Sequence, residues 1–189
     1  MAPLTLVNTP PVSPMTGNLL LALRPPVIIP ALMQQPAIAT EPRIEPATIE
    51  DLPQMVELLV ALFSVEEDFQ PDRKKQEHGL RLILEQPSRG RIFVLRTDHQ
   101  ILGMINLLFT ISTAEGGFVV VLEDLIIHPQ HRRQGYGSRL LDHAVAYANK
   151  KDFKRITLLT DKISAESQAF FQEHGFKFSS MIPMRKVFE

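Results

Sequence analysis

The stretch that most limits the fold is a strand, a turn and a helix read without a break. "FVVVLEDLII" (residues 118–127) is almost continuously apolar, and its only charges are the adjacent carboxylates Glu123 and Asp124. A strand of that kind has to be covered on both faces, which places it inside a sheet with helices packed against it. "HPQHRRQGYGS" (128–138) follows, basic and carrying Gly135 and Gly137. Leu140, Leu141, Ala144, Val145 and Ala148 then recur at helical spacing and mark one buried face. A glycine-led turn from buried strand to helix leaves backbone N–H groups pointing together at the positive end of the helix dipole, a site suited to phosphate oxygens. Glycine lets the backbone approach an anion closely, and Arg132 and Arg133 add charge-assisted donors.

The rest of the chain supplies the remaining layers. "RIEPAT" reads as a short strand, and Thr48 and Asp51 as caps before a helix. Leu52, Met55, Val56, Leu59, Val60 and Phe63 form that helix's apolar face, with Pro53 in its first turn. "RKKQEHGLRLILEQP" is a second helix stopped at Pro87. "RIFVLRT" and "ILGMINLLFT" are strands joined through "DHQ", a hairpin by length. After the glycine turn come a strand in "RITLLT", a helix over Ser164 to His174, and strand-like material in "FKFSSMIPMRKVF". The order β-α-α-β-β-β-α-β-α-β predicts an α/β, mixed α+β fold with helices on one sheet.

The 189 residues suffice for one such domain with length to spare. The domain is expected over residues 43–189. Nine of the fifteen prolines precede Arg43, and Arg24 is the one charged residue of the first forty, so residues 1–42 read as a proline-rich extension. A net charge of −1 argues against a nucleic-acid partner, and no apolar run is long enough to span a membrane. The chain is expected to be soluble and cytoplasmic. With no cysteine it has neither thiolate nucleophile nor thiolate metal site. His128 and His131 lack a third ligand nearby, so no metal is expected. His174 reads as a helix C-terminal residue favoured by the dipole.

Among phosphate-binding loops, a Walker loop is excluded because no Lys-Ser/Thr pair follows the glycines. A dinucleotide fingerprint is weak because Leu140 stands where its third glycine belongs. The remaining reading is Arg132-x-x-Gly135-x-Gly137. With the run-in "HPQHRRQGYG" and the late helix "QAFFQEHGF", it resembles the GNAT acetyltransferases. "LEDLIIHPQHRRQGYGS" is similar to the matching strand and loop of diamine acetyltransferases. The resemblance implies a GNAT fold with splayed central strands, and an enzyme of the acyltransferase (N-acetyltransferase) class that uses acetyl-CoA as co-substrate.

By the same resemblance the backbone of Arg133, Gln134, Gly135, Tyr136, Gly137 and Ser138, with Arg132, holds the pyrophosphate. The backbone of Leu125, Ile126 and Ile127 pairs with the pantetheine arm as an added strand. A free alkyl amine has a pKa of about 10, so transfer to it needs a base. Glu123 is favoured as that base, with Asp124 as runner-up or as the contact for a substrate ammonium. Adjacent on a strand, they point to opposite faces unless a bulge intervenes. Phe171 stands where many members carry a tyrosine that protonates the coenzyme thiolate, and Ser164 where many carry an asparagine. Glu66, Glu67 and Asp68 fall in the helix connection that commonly walls the acceptor site.

The acceptor is expected to be a small-molecule amine of polyamine-like or aminoglycoside-like character; a homodimer is compatible with the fold. An acyl-CoA-binding sensor or partner module with little turnover remains an alternative, as do O-acetylation and acetylation of a protein N-terminus.

Overall fold

In the computed structural model, residues 41–65, 68–160 and 163–188 are described. The chain forms β1 (Arg43–Pro46), α1 (Leu52–Phe63), α2 (Arg73–Glu85), β2 (Gly90–Arg96), β3 (Ile101–Ser112), β4 (Gly117–Ile127), α3 (Tyr136–Lys150), β5 (Ile156–Leu158) and α4 (Ala165–Glu173). The five strands make one mixed sheet in the order β1-β2-β3-β4-β5. Neighbours from β1 to β4 run antiparallel, and β5 joins β4 in parallel. The mixed α/β architecture expected from the sequence is therefore present. Of the proline-rich segment 1–42, all but Glu41 and Pro42 lies outside the described residues.

Local chemistry explains the helix boundaries. The Thr48 N–H donates to the Asp51 carboxylate at 2.8 Å, one turn ahead of α1, and Pro53 sits where its missing N–H costs nothing. Asp72 caps α2 by accepting from the backbone N–H groups of Lys74 and Lys75. Ser164 caps α4 by accepting from the Ser167 N–H. The helices α1 and α2 pack together and are further tied by a two-pronged ion pair from Arg73 to Glu57.

The sheet separates two cores. On one face α1 and α2 close over Ile92, Val94, Ile101, Met104 and Ile126. On the other, Leu140, Leu141, Ala144 and Ala148 of α3 close over Phe93, Leu95, Ile105, Leu107, Val120 and Leu122. Each fully buried leucine or isoleucine contributes about 2 kcal/mol through its removal from water. Strand-by-strand alternation between the two cores fixes the register, because a one-residue slip would turn every apolar side chain to the wrong face.

The end of the chain departs from expectation. "FKFSSMIPMRKVF" forms no strand among the described residues. Met181, Ile182, Met184, Val187 and Phe188 stand exposed. Pro183 has no N–H to place in a ladder, and β5, paired over three residues, offers too short an edge to template another strand.

Candidate active site

β4 pairs with β3 along its whole length, but with β5 only at Val120, Val121 and Leu122. Beyond Leu122 the two parallel strands part. The β5-side edge of Glu123 to Ile127 thus lacks a strand neighbour among the described residues. A strand edge with no neighbouring strand can receive an extended ligand as an additional strand.

The parting coincides with a β-bulge. Asn106 lies opposite Asp124, and Leu107 opposite Leu122, so Glu123 has no partner residue on β3. The bulge changes the strand's parity. Leu122 packs in the α3-side core, and so do Leu125 and Ile127 on the far side of the bulge. Glu123 and Asp124 consequently share the opposite face, which the sequence alternation allows only through a bulge.

Their environments differ. Glu123 is exposed, whereas Asp124 is 7% exposed. Burial raises the Asp124 carboxyl to about 6; the hydrogen bond from Asn106 works against that rise, and the neighbouring Glu123 charge adds to it. Asn106 Nδ2 donates to Asp124 Oδ2 at 2.9 Å, with both side chains buried. Sequence reasoning missed Asn106. Its signal was available: one amide in the otherwise apolar run "GMINLLF" of a central strand.

Downstream, Arg132 Nε donates to the Ile127 carbonyl at 3.2 Å, which folds the loop back on the end of β4. Arg133 (φ 63°) and Gly135 (φ 76°) both take left-handed backbone, and α3 starts directly after. No side chain caps α3 and its first turn carries no acid, so the N–H groups of Tyr136, Gly137 and Ser138 face outward unneutralised. A Cβ at Gly135 would meet nothing within 4 Å, so the cradle is open in front of it. Arg133 reaches across to Glu166 at the start of α4, 2.8 Å away. Tyr136 is partly buried against the α3-side core, with the Arg139 guanidinium over its ring. Gln134 is exposed in the loop.

Phe171 is partly buried against the same core, its ring 5.2 Å from that of Phe170 and 5.8 Å from that of Phe176. His174 ends α4, with Nδ1 2.7 Å from the Phe170 carbonyl. His128 accepts from the Gln130 N–H and its ring lies 5.5 Å from that of His131. Among the described residues no group of three His, Asp or Glu side chains is placed to hold a metal, and no helix is long and apolar enough to cross a membrane. Asp68 is ion-paired with Arg185, while Glu66 and Glu67 lie outside the described residues.

The comparisons with known proteins agree with this geometry. The model of the acetyltransferase (GNAT) family matches residues 52–176. The uncharacterized N-acetyltransferase YhfO of Bacillus subtilis (strain 168) is 27% identical over 86 residues, which cover 46% of this chain and 58% of that relative. Among solved structures, a possible acetyltransferase from Clostridium difficile 630 superposes with a TM-score of 0.71 at 15% identity, covering 78% of this chain and 99% of the other. An aminoglycoside acetyltransferase from an uncultured soil metagenomic sample, in complex with sisomicin, gives 0.65 at 20% identity, with coverages of 79% and 97%. An aminoglycoside N-acetyltransferase in complex with CoA gives 0.65 at 17% identity, with coverages of 77% and 94%. The glycine-led loop, the parted strands and a family match over more than half of the sequence lead to one conclusion: the chain belongs to the GNAT acetyltransferase family.

Proposed function

We propose that the chain is a cytoplasmic N-acetyltransferase that moves the acetyl group of acetyl-CoA directly to a primary amine of a small molecule. The observation that carries the reading is the continuity of three features. An uncapped α3 N-terminus behind Gly135 leads to the free edge of Leu125 to Ile127, and that edge ends at two carboxylates on a bulge. The N–H groups from Arg133 to Ser138, with Arg132, would take the pyrophosphate. The edge would take the pantetheine arm, and its end would set the thioester beside Glu123 and Asp124.

The two acids divide the work. Sequence reasoning favours Glu123 as base, but burial favours the reverse assignment. Exposed Glu123 draws the incoming ammonium; Asp124, raised to about 6, accepts its proton near neutral pH. The neutral amine then attacks the thioester carbon, and a backbone N–H of the bulged segment steadies the oxyanion. The C–S bond breaks, the attacking nitrogen sheds its second proton to solvent, and the departing thiolate takes a proton from solvent, since Phe171 has none to give. The aminoglycoside acetyltransferases of the same fold make an amino-sugar acceptor reasonable, and the acidic pair suits any polycationic amine, polyamines included.

A second reading is favoured by Phe171: an acyl-CoA-binding module that turns over slowly. Release of CoA thiol with a panel of aminoglycosides, polyamines, amino acids and peptides separates the two. Turnover with one amine class, lost in Asp124→Asn and reduced in Glu123→Gln, is the expected result. Acetyl-CoA binding with no thiol release for any amine selects the binding module.

A further inference from the structure

Asn106 sits at the centre of β3 with 2% of its surface exposed, between the apolar side chains Ile105 and Leu107. Its Nδ2 has one partner, Asp124, and its Oδ1 is buried with none. An orphaned buried acceptor is destabilising, a penalty an apolar residue of the same shape avoids. A polar group placed against its own stability belongs to what it touches, and Asn106 touches the carboxylate the reaction needs.

We propose that Asn106 is the positioning residue of the proton acceptor: by holding Asp124 Oδ2, it fixes the carboxylate on the bulge and leaves Oδ1 as the oxygen that receives the amine's proton. This rests on the acetyl-transfer reading. The bond also steadies the ionised form, which burial alone would suppress. Few other groups act on Asp124. Glu123 beside it on β4 raises it. On the same face, α1 carries Glu57, already engaged by Arg73 on the exposed side of the helix pair. α2 packs on α1 and β2, the charges of α3 (Arg139, Asp142, His143, Lys150) belong to the helix on the other side of the sheet, and β5 contributes none.

The experiment compares the wild type with Asn106→Leu and, should that variant fold poorly, Asn106→Ser. Two quantities are measured: kcat/KM for the amine found above from pH 5 to 9, and thermal stability from pH 4 to 8, which needs no acceptor. Losing a hydrogen bond to a charged group should move the acidic limb up by about one pH unit. At pH 6 kcat/KM then falls about fivefold and recovers above pH 8, with KM for acetyl-CoA unchanged. The midpoint of the stability titration should move the same way. An activity loss equal at every pH, with an unmoved stability midpoint, overturns the proposal and leaves Asn106 a packing residue. A moved stability midpoint in a protein without turnover overturns the acetyl-transfer reading instead, while Asn106 stays the partner that sets Asp124.

Discussion

Arg133, in the glycine-led loop before α3, is ion-paired at 2.8 Å with Glu166 at the start of α4. The pair spans the approach to the α3 N-terminus, so the guanidinium that a pyrophosphate would recruit is already shared with a carboxylate. Both side chains are largely exposed, and such a pair contributes little to stability. Glu166→Gln should therefore leave the melting temperature unchanged and tighten acetyl-CoA binding about two- to fivefold at low salt. The gain should shrink as ionic strength rises. Calorimetric titration at two salt concentrations checks it; weaker binding in the variant would mean that Glu166 positions Arg133 instead of competing for it.

A substitution at Gly135 should separate folding from ligand binding. Its φ of 76° strains any residue with a Cβ, by about 1–2 kcal/mol, but the added methyl would touch no protein atom. Gly135→Ala should lose about that much stability in denaturant unfolding. Acetyl-CoA affinity should fall further, by tenfold or more, because the methyl occupies the space in front of the α3 N–H groups. A variant that binds acetyl-CoA as tightly as the wild type would show that the anion sits elsewhere.

Much of this was legible in the sequence. Apolar spacing located the helix faces, and the coincidence of glycine, arginine and a helix start marked the loop from Arg132 to Ser138 as the candidate anion site. Three things were not. The bulge at Glu123 is a register event between two strands, so the shared face of Glu123 and Asp124 depends on Asn106, 18 residues before Asp124, and on Leu107 beside it. The hydrogen bond from Asn106 is invisible for the same reason. The last segment carries the alternation of a strand, but pairing also requires an edge of adequate length, and β5 pairs over three residues. Local pattern states what a segment could pair with; tertiary register decides whether it does.

Phe171 permits a gain-of-function test. By the family resemblance a phenol is expected at its position; it packs beside Phe170 and Phe176 and is partly buried. Phe171→Tyr changes the volume by one hydroxyl and adds a proton donor of pKa about 10. With protonation of the CoA thiolate left to solvent, the substitution should raise kcat severalfold while KM for the amine holds. Steady-state kinetics at pH 8 decides it. An unchanged kcat would place the slow step at amine deprotonation or product release.

Asp124 should cost the fold stability at neutral pH. Its carboxyl is raised to about 6 in the folded chain from 3.8, chiefly by burial. Between those two values the folded state holds more protons than the unfolded one, so stability falls as pH rises through that window. The contribution is absent below the unfolded value and complete above the folded one. A shift of that size corresponds to about 3 kcal/mol at pH 7. Asp124→Asn keeps an oxygen to accept from Asn106 and carries no charge to bury, so it should be more stable than the wild type by about 2–3 kcal/mol at pH 7. The difference should narrow to near zero at pH 4, and acetyl transfer should be lost. Urea unfolding of both proteins at pH 4 and pH 7 measures it. Equal stabilities at pH 7 would mean that Asp124 is ionised in the folded chain without penalty, and a different group would then have to supply the proton acceptor of near-neutral pKa.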